Sequence, residues 1–436
     1  MSEKRVLVVG TTIDYIEIID RLYPGRALFV TDTGERGKSK EPPPDPATEL
    51  LTDLTVFERV ISDLKNHLTR FSLHITGIVS FDCESMALAS YVARELKLPY
   101  PSTKAIDLSR NKYVSKQVWQ KAGVTCPRVE LVKSASEAVQ FMKKIKAPVV
   151  LKPLTGSGSE LVFICRQPVD CERAFETAQK KLSEHHNLRM YGEGRAEDGS
   201  VLNVRRVMAV EEFIPGVEYS SDFVIDGDHL DIIRIAEKIP HPGQPDGTIL
   251  AYILPAVLPE GLNTEKLHLQ LLKAARGLGL ERAMCMVDFI IKDGKIYILE
   301  LTPRPGGDCL PDLILKSCGW DILGAALDFS ERKKLRIPEP AEWKHLVGVR
   351  LFAEKAGTVG KIDSQALHLD RRVVRCYLKW GKGHRVVLPP EDYDSRILGH
   401  VIFRPRSWDN LVNECLILSG RLKVTLEPRV WSTQAV

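Results

Sequence analysis

The sequence has no apolar run approaching the roughly 18 residues that a membrane-crossing helix needs. Even VLVVGTTIDYIEII at 6–19 is broken by Asp14 and Glu17, so a spanning role is set aside. The opening MSEKRVLVVG lacks the basic stretch and long apolar core of a secretory leader. Nine cysteines, an odd number without a Cys-x-x-Cys pair, point to a reduced, cytoplasmic protein. A strong excess of one charge is also missing: 61 Lys and Arg face 57 Asp and Glu, net +4, which argues against a general nucleic-acid binder. There is no GxxxxGK[ST] and, in VVGTTID, no GxGxxG, so a Walker-type phosphate site is excluded and a dinucleotide fold poorly supported. Internal repeats and low-complexity tracts are absent too. What remains is 436 residues, 44% hydrophobic and 27% charged, an ordinary globular composition. At roughly 150 residues per domain this length suggests about three domains. Soluble small-molecule chemistry is the default.

The β-branched run RVLVV at 5–9, an amphipathic stretch 13–22 and a second apolar run 27–30 open the chain as β-α-β. A Pro-rich loop, EPPPDP at 41–46, precedes a buried strand in 74–82 and a helix through 87–96, implying a parallel sheet over residues 1–106. A boundary is expected near 102–108, after Pro99 and Pro101. A core over 107–330 follows. Its first unit, 125–206, carries a helix 109–122 at its entrance, a helix near 137–144, strands 148–152 and 161–165 and a polar insertion 183–206. Its second unit, 207–330, carries two hairpins with Asp-Gly turns flanking a helix 264–277. Past the linker 337–343, residues 343–436 are expected to form a β-rich segment. The fold class is thus mixed α/β and α+β, in several domains.

Three segments carry chemistry. In LKPLTGSGSELVF a strand delivers Lys152 to Thr155, Gly156, Ser157, Gly158 and Ser159, small residues whose backbone N–H groups can surround phosphate oxygens. An ordinary Gly-rich turn with a surface lysine fits that segment equally well. In VEEFIPGVEYSSDFVIDG, residues Glu211, Glu212, Phe213 and Ile214 offer backbone and carboxylate groups to an adenine, and Glu218 could accept from two ribose hydroxyls. Alone, this is as well a strand with solvated glutamates. In MVDFIIKDGKIYILELTPRPGGD, Asp288 and Glu300 fall near the ends of neighbouring strands, with Thr302 and Arg304 just beyond. Two carboxylates and a hydroxyl suit Mg²⁺, which favours oxygen ligands, and Arg304 stands where a transferring phosphoryl group needs a positive donor. Elsewhere, His185 and His186 read as loop residues and His241, His345 and His384 lack partners. Cys309 reads as a structural thiol, and WGKGHR and FRPR as solvated basic turns.

In this order the three segments resemble the ATP-grasp superfamily, over 107–327 for the nucleotide-binding core. The resemblance implies phosphate-contacting lysines at Lys112 of SRNKYVSK and at Lys152, an adenine hinge at Glu211 to Ile214, a ribose glutamate at Glu218 and a looser phosphate lysine at Lys238. It further implies a metal pair at Asp288 and Glu300 with Thr302 third, and a catalytic arginine at Arg304. Asp288 and Thr302 replace the family's usual Glu and Asn. The run PRPGG is most similar to the L-amino-acid ligase and carnosine-synthase branch, where glycines, here Gly306 and Gly307, admit the substrate. The implied function is a Mg²⁺- and ATP-dependent carboxylate–amine (or thiol) ligase acting through an acyl phosphate on small molecules. Mn²⁺ is an alternative metal, a homodimer an assembly left open, and 183–206 the expected lid. The rival expectations are an ATP-grasp carboxylase or formate-dependent transformylase, or an ATP-binding interaction protein without turnover.

Overall fold

The computed structural model describes residues 2–37, 45–195 and 199–427. The Pro-rich loop falls largely outside these residues, as do the tip of the polar insertion, 196–198, and the last nine residues.

Four parallel strands form the N-terminal sheet in the order Glu49–Thr52, Ala27–Asp32, Glu3–Val9, Leu73–Val79. Val6 to Val9 are at most 1% exposed, as expected of a continuous apolar run sandwiched between helices. The chain winds outward from Glu3–Val9 in one direction and then jumps to its other side. The crevice at the carboxyl ends of Glu3–Val9 and Leu73–Val79 is therefore a topological switch point, where open α/β sheets admit ligands. Gly10 closes that crevice at φ +59°, and a Cβ there would stand 1.9 Å from Ser85 Oγ.

The core holds two antiparallel sheets. The smaller has the order Val129–Val132, Met208–Glu212, Val149–Pro153, Phe163–Cys165 and is backed by helices Ala135–Ile145 and Pro168–Glu184. The larger has eight strands, from Lys295–Thr302 through Arg282–Lys292, Val217–Asp226, His229–Pro240, Ile249–Leu254, Leu346–Phe352 and Ile397–Phe403 to Val373–Leu378. The helix Thr264–Gly277 buries Leu267, Leu271, Ala274 and Ala275, i, i+4, i+7 and i+8, against one face of this sheet. Helices Leu310–Cys318 and Ile322–Ser330 cover part of the other, where they also meet the N-terminal sheet.

Several elements depart from the sequence reading. The expected helix 109–122 is two helices, Thr103–Arg110 and Lys112–Lys121, because the Asn111 side chain accepts from Tyr113 N and Val114 N and starts the second one. Met208–Glu212 pairs within the small sheet rather than with the second unit. Of the strands after 343, Leu346–Phe352, Ile397–Phe403 and Val373–Leu378 continue the large sheet, with Ala251 opposite Val349, while Gly357–Asp363, Arg385–Val386 and Lys423–Leu426 form a small sheet of their own. Ile249–Leu254, after HPGQPDG, is a strand that the sequence reading did not include. The returning strand begins only at Phe163, since Ser159 and Leu161 take left-handed backbone at φ +62° and +55°. The polar insertion contains a short helix, Leu188–Tyr191, and a hairpin of Glu193–Arg195 with Val201–Asn203.

Candidate active site

One face of the large sheet gathers the charged residues. Asp288 stands directly opposite Glu300 on one neighbouring strand and Ser220 on the other, while Met286 stands opposite Thr302 and Asp222. Residues in register share a face, so the two carboxylates are neighbours by construction. Each already has a cation. Lys112 Nζ lies 3.3 Å from Glu300 Oε1, and Lys238 Nζ lies 2.8 Å from Asp288 Oδ2 and 2.7 Å from Glu218 Oε1. Burial would raise the Glu300 pKa, but Lys112, Lys152 and Lys116 outweigh it and hold the carboxyl below its usual range. Burial works against the Lys238 ammonium, yet Asp288 and Glu218 more than offset it and the pKa ends up raised.

Asp288 Oδ1 is buried without a hydrogen-bond partner. An orphaned carboxylate oxygen beside a second carboxylate, with the Thr302 hydroxyl one register step away, fits a hard cation. Among the described residues there is no cluster of three or more His, Cys, Asp or Glu side chains able to hold an ion by themselves. That suits Mg²⁺ completing its shell with phosphate and water rather than a closed all-protein cage.

The glycine-rich loop after Lys152 lies across from this face. Lys112, first residue of its helix, reaches back to donate to the Gly156 carbonyl at 2.7 Å. Gly156 at φ +122° and Gly158 at φ +65° need the backbone freedom of glycine, and Ser157 and Gly158 are exposed. Thr155 is buried and donates from its hydroxyl to the Met190 carbonyl at 2.8 Å. The polar insertion is thus seated on the loop. Tyr191 donates to Glu160 Oε2 at 2.5 Å, and His185 Nε2 is 3.1 Å from Glu160 Oε1. The same short segment reaches the switch point of the N-terminal sheet, where Asn187 bonds Glu84 and Arg189 donates to Ser85 Oγ at 2.8 Å.

Glu211 differs from expectation. Its carboxylate is 2% exposed and lies between two lysines, 2.8 Å from both Lys116 Nζ and Lys152 Nζ. Alternation along Met208–Glu212 turns this side chain inward, so its carboxylate is taken up by the two lysines. Glu212 faces outward and pairs with Arg128 at 2.9 Å, and the Phe213 N–H is donated to the Pro148 carbonyl. Lys116, one helical turn from Lys112, was missed. It is fully buried, and burial pulls its pKa down to about 8 despite Glu211. The i, i+4 repeat of lysines in SRNKYVSK was the available signal.

Arg304 follows the strand end. Its Nε donates to Cys83 Sγ at 3.1 Å and one terminal nitrogen to the Pro305 carbonyl at 2.7 Å. Among the described residues no carboxylate forms an ion pair with it. The adjoining turn is fixed from below: Gly306 N–H donates to Asp222 Oδ1 at 2.8 Å, and a Cβ on Gly306 would stand 2.7 Å from an Arg234 terminal nitrogen. A Cβ on Gly307 would meet only Tyr15 and Arg304 at 3.7 and 3.8 Å, so that position leaves room beside the guanidinium. Cys309 is wholly buried and its thiol is pushed up by desolvation, as befits a structural residue. No helix among the described residues is long and apolar enough to cross a membrane.

Residues 145–312 match the model of the ATP-grasp domain. An uncharacterized protein of Sinorhizobium fredii, y4rH, is 24% identical over 76% of this chain and 64% of its own length. Human carnosine synthase 1 is 26% identical over 70% of this chain and 37% of its own length, so the chain spans well under the whole of that relative. Among solved structures, an L-amino acid ligase from Bacillus licheniformis superposes with a TM-score of 0.72 at 16% identity, covering 98% of this chain and 100% of that one. The biotin carboxylase domain dimer of Hydrogenobacter thermophilus 2-oxoglutarate carboxylase, solved with MgADP and bicarbonate, gives 0.66 at 18% identity over 98% and 91%. Asp288 and Glu300, Lys152 with its glycine loop, and the turn bearing Arg304 all lie within the 145–312 segment that matches the ATP-grasp domain model.

Proposed function

We propose that the chain is an ATP-dependent carboxylate–amine ligase releasing ADP and phosphate. The observation that carries this reading is the Asp288–Glu300 pair on adjacent strands, flanked by Lys112 and Lys238, with Arg304 at the strand end forming no ion pair with a carboxylate among the described residues. A carboxylate is a poor electrophile. Attack by one of its oxygens on the γ-phosphorus of ATP expels ADP and leaves an acyl phosphate, from which an amine then displaces phosphate.

The residues divide this work. Lys112 and Lys152 lie beside the glycine loop, where they can offset phosphate charge. Lys152 can turn to the nucleotide because Glu211 keeps a second counter-ion in Lys116. Glu218 at the start of its strand is the ribose acceptor in this reading, with Glu212 and Ile214 at the hinge. Asp288, Glu300 and Thr302 would hold Mg²⁺, which supplies a positive charge against the phosphates, and their all-oxygen donor set would take Mn²⁺ as well. Arg304 presents a planar donor to the transferred group and to the later oxyanion. The segment His185–Tyr191, lying on the loop, excludes water that would hydrolyse the acyl phosphate. The substrates are a small carboxylate and a small amine, met near Gly306 and Gly307. A homodimer is included in the proposal, since one structural relative is described as a dimer. So is a reducing, cytoplasmic setting, in keeping with nine free cysteines.

The test is ADP release from Mg-ATP across a panel of carboxylates with and without amines, including bicarbonate and formate. ADP formation that needs an organic acid, with an amide as product, supports the reading. A product carboxylated from bicarbonate or formylated from formate would replace it, and ATP binding without turnover under every condition would refute it.

A further inference from the structure

Beside Arg304 lies a partly open cleft between the N-terminal sheet and the core. Three parts of the fold build it. The N-terminal sheet contributes Ile78, Val79 and Ser80 at the switch-point end of its last strand, together with the loop Pro99–Pro101. The large sheet contributes Met284 and the turn Pro303–Pro305, and the helix Ile322–Ser330 contributes Ala326 and Phe329. Its walls are mostly apolar, with Ile78, Val79, Met284, Ala326 and Phe329 facing the space. Two polar features stand out in it. Arg304 lacks an acidic partner among the described residues, and the Tyr100 hydroxyl is buried without a hydrogen-bond partner. The other guanidinium there, that of Arg282, is already spent on Asp226, on the Phe329 carbonyl at 2.6 Å and on the Phe329 ring.

A cleft with one available cation, one idle hydroxyl and mostly apolar walls, its Ser80 and Ser330 hydroxyls already donating to the Asp82 and Leu327 carbonyls, selects its occupant chemically. A dicarboxylate or a sugar phosphate would leave its second polar group against Met284, Ala326 and Phe329, where no donor compensates its desolvation. An apolar chain loses nothing there and gains by burial. Resting on the ligase reading above, we propose that the acid this chain activates is a monocarboxylate with a compact apolar body, its carboxylate at Arg304, its chain in this cleft and one oxygen accepting from Tyr100. Specificity for the acid then lies at the junction of the N-terminal sheet with the core and involves neither the phosphate loop nor the metal pair.

The experiment measures binding by calorimetry to the full chain loaded with Mg²⁺ and β,γ-methylene ATP, using 4-methylpentanoate and succinate as probes. We expect 4-methylpentanoate to bind at least tenfold more tightly than succinate. Ala326→Phe, which fills the cleft, should weaken 4-methylpentanoate at least tenfold and change the affinity for the nucleotide analogue by less than twofold. Tyr100→Phe removes an oxygen that has no partner to lose, so it should fold normally, and it should weaken 4-methylpentanoate severalfold. Equal affinity for the two acids, or unaltered binding of 4-methylpentanoate by both variants, would overturn the proposal. Failure of the ligase reading looks different. The acid would then bind as described, with the same variant effects, while no acid would elicit ADP from Mg-ATP.

Discussion

Asp222 and Arg234 form an ion pair, 2.6 Å from Oδ2 to Nε, in which neither side chain has any solvent exposure. The pair lies beneath the turn that carries Arg304, with the second Asp222 oxygen accepting from Gly306 N–H and Arg234 donating on to the Ser220 carbonyl. Removing one partner of a fully buried pair strands the other charge and typically costs about 3–5 kcal/mol. Asp222→Asn should lower the urea midpoint accordingly. Gly306→Ala is the gentler probe, since its Cβ would intrude on Arg234 and Asp222 together. We expect turnover to fall at least tenfold with ATP affinity retained, because the turn and not the nucleotide site is displaced. Urea titration and a kcat-against-KM comparison check both outcomes.

A second expectation concerns Asp288 and Glu300 as the proposed metal pair. Glu300→Gln keeps the size of the side chain, removes a charge and leaves Lys112 facing a neutral amide. Turnover should fall by about 10²-fold or more, with ATP binding weakened far less because Lys152 and the loop remain. Thr302→Asn keeps an oxygen donor in reach and should stay active. Full turnover of Glu300→Gln at millimolar Mg²⁺ would show that the carboxylates do not serve a metal.

Much of this was legible in the sequence and some was not. Asp288 and Glu300 could be paired on paper because the Asp293–Gly294 turn fixes a hairpin, and the observed register sets them opposite each other. The ion pairs of Glu211 could not be read, since a glutamate in a strand looks solvated until the lysines that neutralise it are located on other elements. Asp222, Arg234 and Lys116 carry charges that, by composition alone, belong on a surface. Only the register of Val217–Asp226 against His229–Pro240, and the packing of Lys112–Lys121 under the small sheet, put them inside. The continuation of the large sheet beyond residue 343 was equally invisible, because strand pairing across nearly a hundred residues leaves no local periodicity.

Lys116 gives a pH dependence with a definite sign. Its pKa is about 8, against 10.5 for an ordinary lysine, because burial disfavours the ammonium more than Glu211 supports it. Below pH 8 the charged Lys116 shares Glu211 with Lys152 and leaves Lys152 free to meet phosphate. As pH rises through 8 the proton is lost, Glu211 holds Lys152 alone, and affinity for an ATP analogue should weaken. Lys116→Met should show the weak affinity already at pH 7 and lose the dependence. Calorimetry at pH 7 and 9 on both proteins checks this. The folded state binds fewer protons than the unfolded chain between pH 8 and 10.5, so this group's contribution to stability rises with pH over that window. A loss of binding there is therefore no sign of unfolding at Lys116.

The segment joining the phosphate loop to the N-terminal sheet should couple the two substrates. Tyr191→Phe removes the bond to Glu160, and Asn187→Ala the bond to Glu84. Each should raise ADP release in the absence of amine, as water gains access to the acyl phosphate, and lower the yield of amide per ATP consumed. The ratio of amide to ADP is the quantity to follow, and an unchanged ratio in both variants would leave the segment without a sealing role.

The central claim is that a carboxylate is phosphorylated before the amine attacks. Positional isotope tracing tests it most directly. With ¹⁸O in the carboxylate of a turnover-competent acid, one labelled oxygen becomes the bridge of the acyl phosphate and leaves with the phosphorus. The account predicts ¹⁸O in the inorganic phosphate, one atom per amide formed, alongside ADP. Phosphate free of label during full coupled turnover, or AMP and pyrophosphate in place of ADP and phosphate, would contradict it.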